Sequence, residues 1–268
     1  MKRTLKLVLY YFGYQLAFTI VASVISVVLA HLGMVDKDVA LLNATTIALL
    51  LSGIMMGWHL IHFKYITFGW KNFGEVPAKS LWLSIPFILA SMVFINLCSE
   101  FIDLPNWMEN DFFAMSRNLF GILSAAVMAP VVEEFLFRGA IEGHLLRQGK
   151  KPWAAIFISA LVFGLIHINP AQVPFAFAIG AVFGWLYYRT GSVVPGIIGH
   201  FINNSIATIQ MMVFSKEELN IKTIDMIGEG PTYALFAASF ALMIGSFLYL
   251  KKHLPAAPEY KEEQELTI

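Results

Sequence analysis

The run Ala129-Pro130-Val131-Val132-Glu133-Glu134-Phe135-Leu136-Phe137-Arg138 places two adjacent carboxylates in the middle of an apolar stretch, with no other charge back to Arg117. The stretch 118–146 is long enough to cross roughly 30 Å of hydrocarbon as a helix. Carboxylates at such depth are costly and mark places where a membrane protein does something polar. This stretch therefore reads as a membrane span with a functional site inside it.

The rest of the chain agrees. Its 268 residues are 58% hydrophobic and 13% charged, with a mean hydropathy of +0.69, where a soluble domain is about one quarter charged. Eight spans are predicted, at Leu7–Leu32, Ala40–His62, Ser80–Glu100, Asn118–Leu146, Pro152–Ile168, Ala171–Tyr188, Val193–Phe214 and Thr232–Leu250. The fold class is all-α, a polytopic transmembrane helical bundle. Residues 1–252 read as one integral membrane domain with its motif-bearing core at 118–214, and 253–268 as a short disordered cytoplasmic tail containing Pro255, Pro258 and several Glu. The first apolar segment is longer than a signal-peptide core and lacks a small-residue cleavage site, so it is expected to be retained.

Lys and Arg fix an orientation. Lys2, Arg3 and Lys6, then Lys64, Lys71 and Lys79, then Arg147, Lys150 and Lys151, then Arg189, then Lys251 and Lys252 all fall on one side of eight alternating spans. The opposite connections carry most of the acidic residues, among them Glu100, Asp103, Glu109, Asp111, Glu217 and Glu218. Both termini are thus expected in the cytoplasm of a cell membrane, and the compact loops suggest a prokaryotic protein. Equal numbers of acidic and basic residues, 18 each, and no basic patch argue against nucleic acid. The single Cys98 forms no internal disulfide and no multi-Cys zinc site, and reads as an apolar filler.

Polar residues concentrate on spans four, five and seven. Glu134 and Arg138 are four apart and share a helix face, with Glu142 continuing the ladder. Glu133 lies about 100° around the helix from Glu134 and has no local partner, so it is left free to act. Span five carries Phe163 and His167, and span seven His200, Asn203 and Asn204. Each could be structural: buried His is often a packing residue, and amides glue helices together in membranes. Together they suit water activation. A carboxylate held out of bulk water is a strengthened base, His can polarise the water, and a second His and an amide can donate to an oxyanion. The same Glu133, His167 and His200 could alternatively bind zinc.

The set Glu133-Glu134-x-x-x-Arg138, Phe163-x-x-x-His167 and His200-x-x-x-Asn204 resembles the three motifs of the CPBP intramembrane proteases, the group of CAAX-type prenyl endopeptidases and bacteriocin-processing or self-immunity (Abi) proteins, often called metalloproteases. The resemblance covers about 118–214. It implies peptide-bond hydrolysis in the membrane, with a chamber between spans four, five and seven. Glu133, aided by His167, would activate water; His200 and Asn204 would stabilise the oxyanion; Glu134, Arg138 and Phe163 would shape the site. No cofactor is required by this reading, because the His-Glu-x-x-His signature of zincins is missing from the chain. Gly-x-Ser-Gly and Gly-x-Gly-Asp, which would mark serine and aspartate intramembrane proteases, are missing too. The implied partners are the bilayer and a membrane-associated peptide or protein, lipidated or not. The rival readings are a proton- or ion-coupled transporter and a non-catalytic immunity or scaffold protein.

Straight spans pose a depth problem. His167 would lie roughly 24 Å from Lys151, near the outer end of span five, while Glu133 is near mid-membrane. Either span five starts late or tilts, or the link around Asn169, Pro170 and Pro174 dips into the protein. Irregular backbone at depth is tolerated where it lines a cavity.

Overall fold

Apolar runs this long fold as helices because hydrocarbon offers backbone N–H and C=O groups no other partner. The computed structural model describes residues 2–66 and 78–260, and these form helices and their connections with no strand among the described residues. In chain order the helices are α1 (Lys2–His31), α2 (Lys37–His62), α3 (Ala78–Ser99), α4 (Glu109–Ser116), α5 (Leu119–Arg147), α6 (Pro152–Leu165), α7 (Val173–Thr190), α8 (Val194–Val213), α9 (Lys216–Leu219), α10 (Thr223–Ile227) and α11 (Glu229–His253). Lys71, one of the charges used for orientation, lies outside the described residues.

Each of the eight expected spans is a helix, α1, α2, α3, α5, α6, α7, α8 and α11. Five of them, α1, α2, α3, α5 and α11, are long and apolar enough to cross a membrane by length and composition. The other three are the helices around the site. α6 has 14 residues, about 21 Å of rise. The apolar run of α8 is broken by His200, Asn203, Asn204 and Gln210, and the last turn of α7 carries Tyr187, Tyr188 and Arg189.

The outer surface is apolar. Leu16, Ile20, Val24 and Val28 of α1 are each more than half exposed, which suits a helix facing lipid. The interior holds the polar groups: Glu134, Arg138, Glu142 and Asn169 are fully buried, together with Phe137, Phe163 and Phe183. α1 and α2 form an antiparallel hairpin whose turn uses Gly33 at φ +69° and the Asp36 cap on the first N–H groups of α2.

Connections at the two ends of the bundle bind one another. At one end Glu100 accepts from the backbone and hydroxyl of Thr223, Asn220 donates to Glu109, and Asn169 donates to Asn106. At the other, Arg3 donates to the Tyr65 carbonyl, and Arg189 donates to the carbonyls of Lys251, Leu254 and Pro255. This grouping is the one that strict up-and-down alternation of eight helices requires. Of the tail expected to be disordered, residues 254–260 lie against the end of α7, with Leu254 buried and the Tyr260 hydroxyl donating to the carbonyls of Tyr187 and Tyr188. Burial pushes the Tyr260 phenol far above its usual range. Residues 261–268 lie outside the described residues.

Candidate active site

α5 is wound unevenly. Leu123–Met128 and Phe135–Glu142 are π-helical, and the short α-helical stretch Ala129–Glu134 between them carries the two carboxylates. Wide turns of this kind occur often at functional sites. Pro130 explains part of the local geometry. In the first π segment the Ala129 N–H reaches back five residues to the Ser124 carbonyl. The next such partner, for the Ala125 carbonyl, would be the nitrogen of Pro130, which has no hydrogen. That carbonyl instead accepts from Asn204 Nδ2 of α8 at 2.8 Å. A missing N–H on one helix thereby fixes a side chain on another.

Glu134 and Arg138 form an ion pair at 3.1 Å between two fully buried side chains. Arg138 also donates to the Gly180 carbonyl of α7 at 3.0 Å, and its guanidinium lies 4.5 Å from the Phe163 ring centroid. Glycine makes the room. A Cβ at Gly196 of α8 would overlap Glu134 Oε2, and one at Gly184 of α7 would stand 2.6 Å from Glu142 Oε2. Such a pair is costly to bury and more costly to break, since removal of one partner strands the other charge.

The two histidines are oriented through the same ring nitrogen, by different acceptors. His167 Nδ1 lies 2.8 Å from the Phe163 carbonyl. A carbonyl only accepts, so Nδ1 carries the proton and Nε2 is the free atom. His200 Nδ1 lies 3.2 Å from Glu134 Oε1, so it too donates, and its Nε2 points towards Glu133 Oε2 at 3.9 Å. That gap exceeds a direct hydrogen bond and suits a bridging water. Phe163 touches both rings edge-on, at 5.0 Å from His167 and 5.6 Å from His200.

One cavity of about 210 Å³ is lined by Glu133, His167, His200 and Asn204 together. The depth problem is removed by where the two residues fall along the chain. Glu133 stands 14 residues before the end of α5 at Arg147 and His167 stands 15 after the start of α6 at Pro152, so the two lie a similar number of residues from the same end of the bundle and line one cavity. The chain then leaves the helix, with Ile168 at φ +58°, a strained conformation for a β-branched residue. Fully buried Asn169 pins this irregular link: its Oδ1 accepts from the Trp107 N–H and its Nδ2 donates to Asn106. Of this link Asn169 is buried, while Ile168 is well exposed, and α6 starts at Pro152 as expected.

The chamber is not confined to spans four, five and seven. Tyr11 and Gln15 of α1 and Leu49, Ser52 and Gly53 of α2 form a further wall, and Phe112 and Met115 of α4 also line it. The α1–α2 hairpin approaches because Gly53 has no side chain where Met128 of α5 comes in: a Cβ there would be 2.7 Å from Met128 Cγ. Tyr11 escaped the sequence reading, although its hydroxyl donates to Glu133 Oε1 at 3.0 Å. Nothing in an apolar first helix singles out one tyrosine among neighbours that sit at the interface. His59 near the end of α2 is buried, with Nδ1 2.8 Å from the Tyr14 hydroxyl.

Zinc finds no ready seat here. Among the described residues no group of three His, Cys, Asp or Glu side chains is arranged to hold a metal ion. His200 Nδ1 is committed to Glu134 and His167 Nδ1 to a carbonyl, so each histidine offers Nε2, as histidines bound to a metal commonly do.

Residues 115–206, which hold almost all of this constellation, match the family model of the type II CAAX prenyl endopeptidases, Rce1-like. Over 91 residues the chain is 29% identical to the putative membrane peptidase YdiL of Bacillus subtilis, covering 34% of this chain and 37% of that protein. Over 93 residues it is 30% identical to the membrane-embedded CAAX protease MroQ of Staphylococcus aureus, 33% and 38% of the two chains. Over 166 residues it is 25% identical to CAAX prenyl protease 2 of Arabidopsis thaliana, 46% and 53%. The chain thus spans between about a third and a half of the length of the curated relatives it matches. No solved structure matches. The segment that bears the site is akin to the CAAX-type membrane proteases.

Proposed function

We propose that the cavity is the active site of an intramembrane endopeptidase that hydrolyses a peptide bond of a membrane-associated protein or peptide. One observation carries this reading: Glu133, His167, His200 and Asn204, drawn from α5, the link after α6, and α8, line a single cavity inside an apolar bundle. In the reaction Glu133 Oε2 takes a proton from a water held towards His200 and His167. The hydroxide adds to the scissile carbonyl. The oxyanion is met by the second amide proton of Asn204 and by His200. Because His200 Nδ1 already donates to Glu134, donation from Nε2 requires the imidazolium. Collapse of the intermediate breaks the C–N bond, the proton on Glu133 passes to the leaving amine, and a carboxylic acid and an amine depart, the acid ionising in water. No step is assigned to a metal. Purified protein is expected to hold no stoichiometric zinc by elemental analysis, and cleavage to survive chelation.

The substrate is a polypeptide presented at the membrane, lipidated or not, and the termini of this chain face the cytoplasm by the distribution of Lys and Arg. The test compares peptide termini in membranes of cells carrying this protein or Glu133→Gln at matched expression. New termini that appear only with the unaltered protein support hydrolysis and identify the substrate. Identical termini, with a phenotype that both forms rescue, would transfer the site to a scaffold role. Identical termini with rescue by the unaltered protein alone would favour a proton relay.

A further inference from the structure

The matched family segment starts at residue 115, yet one hydrogen bond to the central carboxylate comes from far outside it. Tyr11 of α1 donates to Glu133 Oε1 at 3.0 Å, across 122 residues of chain. A phenol facing a carboxylate can only donate. With Oε1 taken, the remaining oxygen, Oε2, is the one turned to His200. A carboxylate without that bond could rotate about its last torsion, which is broad and two-fold, and present either oxygen to either neighbour. Tyr11 is itself held in place: α1 packs along α2, and Tyr14, one turn further on, is anchored to buried His59.

We propose that Tyr11 is a positioning residue that fixes which oxygen of Glu133 meets the water, so that the site is incomplete without the first helix. The proposal rests on the hydrolytic reading above. It makes α1 a working part of the site rather than a lipid-facing anchor, and it assigns Tyr11 no contact with substrate.

Two measurements on the full-length protein test it. The first needs no substrate. The infrared carboxylate stretch of Glu133 is isolated by subtracting the spectrum of Glu133→Gln in detergent, and is followed in Tyr11→Phe. A displaced band is expected, because the carboxylate has lost a donor; an unmoved band overturns the bond and the proposal with it. The second follows the rate at which new peptide termini appear in membranes. Tyr11→Phe is expected to slow them about tenfold or more, the range for a hydrogen bond to a charged group, while Tyr233→Phe, at an exposed position of α11, keeps the wild-type rate. Equal rates for wild type and Tyr11→Phe, with Glu133→Gln inactive, overturn the proposal and leave the hydrolytic reading standing. Termini that are the same in wild type and Glu133→Gln sink both. Should Tyr11→Phe fail to fold, difluorotyrosine placed at position 11 keeps the ring and strengthens the donor: a changed rate and a displaced band support the proposal, and no change in either defeats it.

Discussion

The two neighbouring glutamates have the same chemistry and opposite fates. Glu133 lines the cavity and is met by a tyrosine, whereas Glu134 is sealed against Arg138 and His200. Substitutions should separate them. Arg138→Ala strands Glu134 in the bundle and is expected to cost about 3–5 kcal/mol, read as a large fall in melting temperature in detergent or as failure to accumulate. Glu133→Gln keeps the shape and the Tyr11 bond, and is expected to melt near wild type while losing cleavage. Equal melting of Arg138→Ala and wild type would remove the structural role assigned to the pair. Gly196→Ala gives a sharper contrast. In an ordinary helix that change stabilises by about 1 kcal/mol, but here the new methyl would overlap Glu134 Oε2. A lower melting temperature is expected, and a higher one would show that Glu134 has space to retreat.

At the scale of the element, the π segments of α5 are where sequence reading stops and packing begins. The spacing of Glu134 and Arg138 made their pairing legible, because four residues put them on one face, and the sharing of a site by three helices was legible from the isolation of polar residues in apolar runs. What periodicity could not supply was the winding between them. A uniform helix gives no reason for Asn204 to meet Ala125, while the pairing follows once Pro130 deprives that carbonyl of its partner. The early end of α6 was hidden for a similar reason: Phe163 to His167 is apolar enough to continue a helix, and the break is imposed by Asn169 binding the loop at 106–107. Pro130→Ala tests the first point. It restores an N–H that competes for the Ala125 carbonyl, so Asn204 should lose its fixed position. Melting temperature is expected to hold or rise, since alanine suits a helix interior better than proline, while the rate of new termini falls several-fold or more. Unchanged cleavage in Pro130→Ala would mean that Asn204 is held by other contacts, such as the one from Asn203.

At the scale of the molecule, the site reshapes the helices that carry it. Five helices satisfy lipid alone, and α6, α7 and α8 do not, because a short helix, an irregular link and a polar face are what bring His167, His200 and Asn204 to the depth of Glu133. Such helices are stable in a membrane only behind a screen of apolar neighbours, which gives the poorly buried α1 and α11 a purpose beyond anchoring. The alternation should still hold, because the link after α6 binds the loop between α3 and α5, and that loop binds the one between α8 and α11. Cys98 is the only cysteine, so its replacement by serine gives a background for single-cysteine labelling. Cysteines placed at Lys37 and Lys216 are expected to react with an impermeant maleimide from one face of the membrane, and cysteines at Lys150 and Lys251 only from the other. Lys150 reacting on the same face as Lys216 would mean that α6, at about 21 Å of rise, does not carry the chain across with its neighbours. The two clusters of connections would then lie on one side, and the shared depth of Glu133 and His167 would need another cause.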